Sequence, residues 1–205
     1  MTTTTVKKIK ENGRDRLIAA SLKLFANKGF HACSIREICE EAKANISLVS
    51  FHFGGKEGLL DTIFLELVEQ DFSRLEAILV NPTSSEDVKI RLDLFLHEYV
   101  EFSIKHGDVI SLYLEELERG NPQAVELQPK TYGKLWNALL TFFIEAQEKN
   151  LIDQSLNVEI VSFQILAPIN HLIRSRRSSY RTTKLSLEDE EFRSKFLSQI
   201  VKAAF

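Results

Sequence analysis

Apolar residues recur every three or four positions along most of this chain, which is the spacing of an amphipathic α-helix. The first such stretch covers residues 13–28. Its inward face is predicted to carry Leu17, Ser21, Leu24 and Phe25. Gly29 follows at once, and glycine is frequent just past the C-terminus of a helix. The pattern therefore predicts a first helix that stops before this glycine.

Two short helices are predicted next. Ser34 and Glu37 have the spacing of a capping box, which starts a second helix that ends near Ala42. Asn45 is a good N-cap for a third helix that runs to about Phe51. The turn between these two helices is short. Three short helices in such close succession are typical of a helix-turn-helix motif.

Gly54 and Gly55 then break the chain, and a long fourth helix is predicted from Lys56 to about Leu79. Its apolar positions are Leu59, Leu60, Ile63, Phe64, Leu67 and Val68. The same spacing predicts five more helices, over residues 85–106, 108–119, 124–150, 158–176 and 187–205. The sequence is thus expected to fold as an all-α protein of about nine helices.

Two details of the last helices are also expected. Pro168 lies inside the eighth predicted helix and should kink it, because proline lacks a backbone N–H. The segment from Arg174 to Lys184 is polar and basic, so it is interpreted as a loop before the ninth helix. The eighth helix is apolar nearly all round, more than one monomer core would cover, unless this helix lies at the centre of that core.

Composition excludes several classes of protein. The chain has 205 residues, 44% hydrophobic and 27% charged, with few prolines and glycines, which argues against disorder. Its most apolar stretch, residues 158–173, is interrupted by polar side chains and is not a membrane span. Residues 2–5 are threonines that no apolar segment follows, which is unlike a secretory signal. Cys33 and Cys39 are expected to be free thiols in a reducing cytoplasm.

Charge is unevenly distributed along the chain. Residues 1–60 hold ten lysines and arginines and six acidic residues, a net charge of +4. The remaining residues carry a net charge of −7. A basic N-terminal part on an acidic body suggests that the N-terminal part meets an anionic partner.

The N-terminal residues resemble those of the TetR-type regulators over about residues 14–60. The resemblance is carried by Arg16-Leu17-Ile18-Ala19-Ala20, Leu24-Phe25, Lys28-Gly29-Phe30, Ser34-Ile35-Arg36-Glu37-Ile38, Ala42, Phe51-His52-Phe53 and Lys56-Glu57-Gly58-Leu59-Leu60. It implies a flexible basic arm (residues 1–13), a helix-turn-helix DNA-binding domain (14–60) and a ligand-binding and dimerisation domain (61–205). It implies no catalytic activity, cofactor or metal.

In this resemblance the third helix enters the major groove of double-stranded DNA. The implied DNA-binding residues are Arg36, Asn45, Ile46, Ser47, Leu48, Ser50, Phe51, His52 and Lys56. Ile46 and Leu48 are expected to be exposed and to pack on thymine methyl groups, while Val49 faces inward. Ser47 and Ser50 suit several bases, and Arg36 suits guanine.

Phosphate contacts are assigned to His52 and Lys56. Lys56 stands at a helix N-terminus, where its charge opposes the dipole, so a phosphate partner would explain it. A buried structural histidine is the alternative for His52. The basic side chains before the first helix form an arm on the DNA backbone or, equally, a solvated tail. They are Lys7, Lys8, Lys10 and Arg14.

Two positions depart from the family pattern. Lys43 stands in the turn where glycine is usual, and a non-glycine residue in the left-handed region costs about 1 kcal/mol. Ser50 stands where a larger or aromatic residue is usual, which weakens its assignment to a base.

The body is expected to dimerise and to sense a ligand. The last two helices are the candidates for a homodimer that binds a palindromic operator. An apolar or amphipathic effector would bind among helices four to seven and release a repressor from its operator. The candidate pocket residues are Phe64, Phe95, Tyr99, Phe102, Tyr113, Trp136, Phe143 and His171.

Other functions stay open at this point. His97 and Glu101 share a helix face and would bind a metal if a third ligand joined them, but the second histidine of HExxH is missing. Lys43 and Ser50 are the support for a head that has lost DNA binding. Activation uses the same head as repression.

Overall fold

The computed structural model describes residues 12–183 and 185–204, with side-chain surroundings for all of these except 67–71 and 177–183. This part of the chain holds ten α-helices, one short 3-10 turn and no strand, so the prediction of an all-α fold is confirmed. The helices are α1 (Gly13–Lys28), α2 (Ile35–Ala42), α3 (Ile46–Phe53), α4 (Lys56–Ile78), α5 (Ser85–Lys105), α6 (Gly107–Glu118), α7 (Pro122–Leu127), α8 (Tyr132–Glu148), α9 (Val158–Thr183) and α10 (Glu190–Ala203). None of these helices is long and apolar enough to cross a membrane.

The chain forms two compact units, which divide between Ile63 and Phe64 within α4. We call the residues up to Ile63 the head and those from Phe64 the body. The expected division lay three residues earlier, after residue 60. The lysines at positions 7, 8 and 10 lie outside the described residues, and so do the surroundings of Leu67 and Val68.

The head is built from α1, α2, α3 and the first two turns of α4. Leu17, Ile38, Val49 and Leu59 are fully buried, so each helix contributes to one small core. The capping box is confirmed, because the Ser34 hydroxyl accepts from the Glu37 N–H and the Glu37 carboxylate accepts from the Ser34 N–H. These caps satisfy donors that a helix terminus leaves unpaired.

The turn between α2 and α3 adopts the geometry that its length requires. Lys43 is left-handed, with a φ of 49°, and the N–H groups of Lys43 and Ala44 donate to carbonyls of the last turn of α2. Asn45 then caps α3 by accepting from the N–H of Ser47 at 2.9 Å. α3 continues to Phe53, two residues beyond its predicted end.

The body core is formed mainly by α5, α8 and α9. Its largest fully buried side chains include Phe95, Phe142 and Phe143. Leu139 and Leu166 complete contacts between the long helices. This aromatic centre explains why α5 and α8 show a clear apolar face in the sequence.

One stretch that was predicted as a single helix forms two helices in the structure. The stretch expected as a single helix over residues 124–150 divides into α7 and α8, joined by a 3-10 turn over Gln128–Lys130. Pro129 supplies no N–H within this turn. Thr131 follows with a non-helical backbone (φ −115°, ψ −106°), and its hydroxyl lies 2.9 Å from the carbonyl oxygen of Leu127.

The prediction of a basic loop before the last helix was wrong. α9 continues through Pro168 and on to Thr183, because no glycine or proline interrupts residues 174–183. Arg174 and Arg176 form ion pairs with Glu118 and Asp108 of α6. A polar composition was therefore a weaker signal than the absence of helix-breaking residues.

The last helix also differs from its prediction. α10 begins at Glu190 rather than Leu187, because the Asp189 side chain accepts from the N–H of Phe192 and caps it there. Leu197 is its buried residue. Its other large apolar side chains are only half-buried: Phe192, Phe196, Ile200 and Val201.

Candidate functional site

One face of α3 is unusually apolar for an exposed helix. Phe51 is 80% exposed and Ile46 is 50% exposed. Val49 is fully buried, as predicted, and anchors the opposite face. Ser47 and Ser50 are also exposed, so the outer face combines apolar groups with hydroxyls. This mixture matches what the base edges of a major groove offer.

Two predicted contact residues of α3 also have local partners. Asn45 caps the helix, and the Ser47 hydroxyl donates to the same Asn45 oxygen at 2.9 Å. Leu48 was expected to be exposed, but it is half-buried. A Cβ added at Gly13 would lie 3.1 Å from its Cδ1, so Leu48 packs against the start of α1. That packing removes part of its surface from the outer face.

Arg36 and His52 lie at the edges of this surface. Arg36 is exposed on α2. His52 is exposed at the end of α3, which contradicts the alternative that it is a buried structural histidine. Its ring packs edge-on against Phe51, with centroids 4.9 Å apart.

Lys56 has a role within the head that sequence reasoning missed. Its ammonium donates to the carbonyl oxygens of Phe30 at 3.0 Å and Cys33 at 2.9 Å. It also lies 4.3 Å from the centroid of the Phe30 ring. Lys56 therefore ties the start of α4 to the loop between α1 and α2. These contacts explain the lysine without a phosphate, and the expected phosphate contact stays a prediction.

The described end of the predicted arm is helical. Asn12 caps α1 by accepting from the N–H of Asp15 at 3.0 Å, and Gly13 is the first helical residue. Arg14 lies within α1, where its guanidinium is 5.6 Å from the centroid of the Phe53 ring. Arg14 is thus part of the folded head.

The strongest electrostatic effect in the head concerns Glu37. The ammonium of Lys28, with the N–H and hydroxyl of Ser34, lowers the pKa of this carboxyl from 4.5 to about 2. The carboxylate is therefore ionised at neutral pH and holds the capping box closed. Burial raises the pKa of both cysteine thiols, and both cysteines are free, as expected.

The body contains an aromatic cavity. Its lining residues are Phe64, Phe72, Tyr99, Phe102, His106, Val109, Ile110, Tyr113, Leu114, Thr131, Tyr132 and Asn170. Four of the eight candidate pocket residues lie here, namely Phe64, Tyr99, Phe102 and Tyr113. The cavity volume is about 40 Å³, which is room for a few waters, so a larger molecule must widen it.

The other four candidate pocket residues lie elsewhere. Phe95 and Phe143 are fully buried in the core, and Trp136 packs against that core on α8, half-buried. His171 is exposed. Sequence reasoning missed Thr131 and Tyr132 because the break before α8 was not foreseen. It also missed Asn170, although the neighbouring His171 of the same predicted helix was a candidate.

Two pairs of hydrogen-bonded polar side chains interrupt this apolar lining. The Tyr99 hydroxyl donates to Oδ1 of Asn170 at 2.6 Å. The hydroxyls of Tyr113 and Thr131 lie 2.8 Å apart. Burial raises the pKa of Tyr99, Tyr113 and Tyr132, so all three phenols are neutral hydrogen-bonding groups at physiological pH.

A second exposed apolar surface lies on α9 and α10. Ile160 is 55% exposed and Phe163 is 61% exposed on α9. A shallow depression of about 190 Å³ lies between the two helices and includes Phe196 and Ile200. We call Ile160, Phe163, Phe196 and Ile200 the α9–α10 face.

The alternative metal site finds no third ligand. His97 and Glu101 are both exposed on α5, and His97 Nδ1 lies 2.8 Å from the carbonyl oxygen of Asp93. No group of three or more His, Cys, Asp or Glu residues able to hold a metal occurs within residues 12–183 and 185–204.

Comparisons with known proteins agree with this architecture. The family model for "Bacterial regulatory proteins, tetR family" matches residues 17–63. The HTH-type transcriptional repressor KstR2 of Mycolicibacterium smegmatis is 26% identical over 131 residues, which span 62% of each chain. The HTH-type transcriptional regulator UidR of Escherichia coli K12 is 23% identical over 155 residues, 75% of this chain and 76% of that protein.

A similar solved structure is the transcriptional regulator FadR of Bacillus subtilis in complex with stearoyl-CoA. Its TM-score is 0.71, with 16% identity, and the match covers 92% of this chain and 96% of that one. This likeness concerns the fold and extends through the body. With the matched head and the related regulators, it supports one assignment. The comparisons support a TetR-type transcriptional regulator, with the family match lying in residues 17–63.

Proposed function

We propose that this regulator is a ligand-released repressor that acts in the cytoplasm as a homodimer on a palindromic operator. The observation that carries the DNA-binding part is the outer face of α3. The fold of the head gains no stability from leaving the side chains of Phe51 and Ile46 exposed to water. Both would lose exposed area in a major groove, where thymine methyl groups are available.

Individual contacts follow from this placement. Ile46 packs on a thymine methyl, and Ser47 and Ser50 meet base edges. Arg36 is the reader of guanine, because its fork of donors matches O6 and N7. Asn45 and His52 meet the sugar-phosphate backbone around these bases, and Phe51 lies in the groove beside them.

Leu48 and Lys56 have different roles. Leu48 contributes its remaining exposed edge to the DNA contact, since much of it packs on α1. Lys56 acts mainly by fixing the start of α4. The amides there, rather than its own charge, then face a phosphate.

The α9–α10 face supports the homodimer. A monomer would leave Ile160 and Phe163 of α9 more than half-exposed, and would also expose an apolar depression between α9 and α10. A second copy of the same face covers it in a two-fold dimer, and a two-fold dimer reads an inverted repeat.

Ligand release rests on the aromatic cavity. A ligand that binds the widened cavity favours one arrangement of α4, α5 and α6 over another, which is the differential affinity that a switch needs. KstR2 is named as a repressor, and FadR was solved with stearoyl-CoA. An apolar or amphipathic effector is the corresponding expectation for this chain.

Selection from a pool of random DNA duplexes at about 0.15 M salt tests the DNA-binding part. We expect an enriched inverted repeat. Arg36→Ala should weaken its binding by tenfold or more and relax the preference for guanine at one position. Lys23→Ala is the matched control, because Lys23 is an exposed cation of the head that pairs with Glu41. Binding that stays weak, sequence-blind and salt-sensitive would contradict the proposal.

Sedimentation velocity tests the homodimer. Phe163→Glu places a charge in the α9–α10 face and should convert the dimer to a monomer. Ile90→Glu, at a similarly exposed apolar position on α5, is the control and should leave the dimer intact. Equal behaviour of the two variants would place the dimer contact elsewhere.

A further inference from the structure

The turn between α2 and α3 contains the least expected backbone conformation of the head. Three non-glycine residues in the described part of the chain have a positive φ: Lys43, Asn81 and Asn150. Asparagine tolerates the left-handed region because its short polar side chain bonds to nearby groups, and lysine has no such property. Lys43 therefore bears a conformational cost that glycine at the same position would avoid.

The fold of the head does not explain why a lysine stands in this turn. The side chain of Lys43 is exposed, and its ammonium makes no hydrogen bond or ion pair within the described residues. The turn is held by the backbone N–H groups of Lys43 and Ala44, which glycine would supply equally well. The dipole of α2 favours a cation at its C-terminus, but this effect is small for an exposed group.

Most other cations of the described head are already engaged within it. Five of them contact an aromatic ring, a carbonyl oxygen or a carboxylate of the head: Arg14, Arg16, Lys23, Lys28 and Lys56. Among the lysines and arginines of residues 12–63, Arg36 and Lys43 are the two without such a contact. These two side chains are therefore free to meet an anionic partner.

Lys43 is close to the helix that is proposed to enter the major groove. Asn45, the N-cap of α3, follows two residues later, so the two Cα atoms lie within about 7.6 Å of each other. A groove about 12 Å wide has phosphates on both sides of an inserted helix. The long side chain of a lysine beside the N-terminus of that helix reaches this backbone, and its ammonium binds a phosphate as a point charge.

We propose that Lys43 is a phosphate-binding residue of the head, and that its charge is the reason for a lysine in the left-handed turn. This contact rests on the proposed DNA binding of the head and adds to it an interaction that carries no sequence information. Backbone strain that is retained at a ligand-binding residue is a recurring feature of functional sites. The departure from glycine then raises the affinity for DNA and lowers the stability of the head.

A salt titration of operator binding tests this role. Lys43→Gln removes the charge and keeps both a long side chain and the left-handed backbone. We expect it to lower the affinity at about 0.15 M salt roughly fivefold for each subunit, and to flatten the plot of log K against log salt concentration by about 0.9 for each subunit. Lys43→Arg should preserve both values. An unchanged slope with Lys43→Gln would overturn the proposal.

The matched control is Lys23→Gln. It removes the same charge from the head at a position where the lysine pairs with Glu41, and should leave the slope unchanged. A slope that flattens equally in Lys23→Gln and Lys43→Gln would trace the effect to the net charge of the head and overturn the contact.

Base preference and stability separate a phosphate contact from other roles of Lys43. Lys43→Gln should rank single-base variants of the operator as wild type does. Lys43→Gly should bind as weakly as Lys43→Gln, although amide exchange in residues 30–60, read by mass spectrometry, should be slower than in wild type. Wild-type affinity in Lys43→Gly, or an altered base preference in Lys43→Gln, would overturn the proposal.

Two results distinguish the loss of this contact from the loss of the proposed function. If selection yields no inverted repeat, the specific repressor is excluded, and the slopes are measured on a random duplex. A flatter slope for Lys43→Gln on that duplex keeps the phosphate contact, and an unchanged slope removes it. An enriched repeat that wild type and Lys43→Gln bind equally keeps the repressor and removes the contact.

Discussion

The head and the body of this regulator are held together by different kinds of interaction. The head depends on polar contacts at the ends of short helices, including the Ser34–Glu37 box and the carbonyl contacts of Lys56. The body depends on the packing of large side chains such as Phe95 and Phe143. Capping is a local property of sequence, whereas packing joins residues far apart in the chain. The head was therefore predictable in detail and the body only in outline.

The largest effect that tests this contrast is expected from phenylalanine-to-alanine changes in the two units. Phe143→Ala empties a fully buried site and should lower the free energy of unfolding by about 3–5 kcal/mol. Urea unfolding at fixed protein concentration measures it, followed by Trp136 fluorescence for the body and by far-ultraviolet circular dichroism for the helices of both units. Phe51→Ala removes the same side chain from the exposed face of α3, and should leave stability within about 0.5 kcal/mol while weakening operator binding. Similar stability losses in both variants would break the comparison.

A smaller effect is expected from Lys56→Met. The change removes two charge-assisted hydrogen bonds and a cation–π contact, so the head should lose about 1–3 kcal/mol. Hydrogen exchange of amides in residues 30–60, read by mass spectrometry, reports this loss. Lys28→Met is the matched control because Lys28 pairs with Glu37 in solvent, and its effect should be much smaller. Equal protection in wild type and Lys56→Met would show that the lysine does not hold the head.

The capping box should contribute less to the stability of the head than Lys56 does. Ser34→Ala removes the N-cap of α2 and is expected to destabilise the head by about 1 kcal/mol. The same exchange experiment measures it. Ser50→Ala, on the exposed face of α3, should leave exchange unchanged. A loss confined to Ser50→Ala would contradict this assignment.

The capping box also predicts a pH dependence. The pKa of Glu37 is about 2 in the folded head against an ordinary value of 4.5. The folded state therefore gains from the ionised carboxylate above about pH 4.5, and this gain disappears as pH falls towards 2. A carbon-detected NMR titration should place the midpoint well below 4.5. Lys28→Met should raise it most, and Ser34→Ala less, since Lys28 is the larger cause.

The smallest expected effect is a gain in stability. Lys43 occupies the left-handed region at the end of α2, so Lys43→Gly should stabilise the head by up to about 1 kcal/mol. Slower exchange in α2 and α3 would report the gain. Lys43→Ala is the control, because alanine removes the long side chain and keeps the strain. A gain with alanine equal to that with glycine would trace the effect to the side chain instead of the backbone.

Much of the fold followed from patterns in the sequence. The period of the apolar residues located most of the helices, and the N-cap residues Ser34 and Asn45 fixed where two of them begin. The errors came where the local sequence carries no clear signal for the beginning or end of a helix. A turn that includes Pro129, followed by the non-helical Thr131, separates α7 from α8, and no glycine in the sequence marks this turn.

The candidate sites were predictable to different degrees. The outer face of α3 followed from residues adjacent in sequence, although the packing of Leu48 on α1 needed the structure. The cavity joins α4, α5, α6, α8 and α9, so its lining depends on how those helices pack. No local pattern distinguishes Tyr99 in the cavity from Phe95 in the core, one helical turn away. Asn170 was overlooked because a polar residue in an apolar helix has no unique partner until the fold is known.

The placement of Trp136 has a consequence for optical work on this protein. It is the chain's one tryptophan, and the four tyrosines, at positions 99, 113, 132 and 180, also belong to the body. The head therefore contributes almost nothing to absorbance or emission excited near 280 nm, a region where tyrosine and tryptophan dominate. A fluorescence melting curve is blind to an opened head, and a preparation that passes such an assay can still have lost the unit that meets DNA.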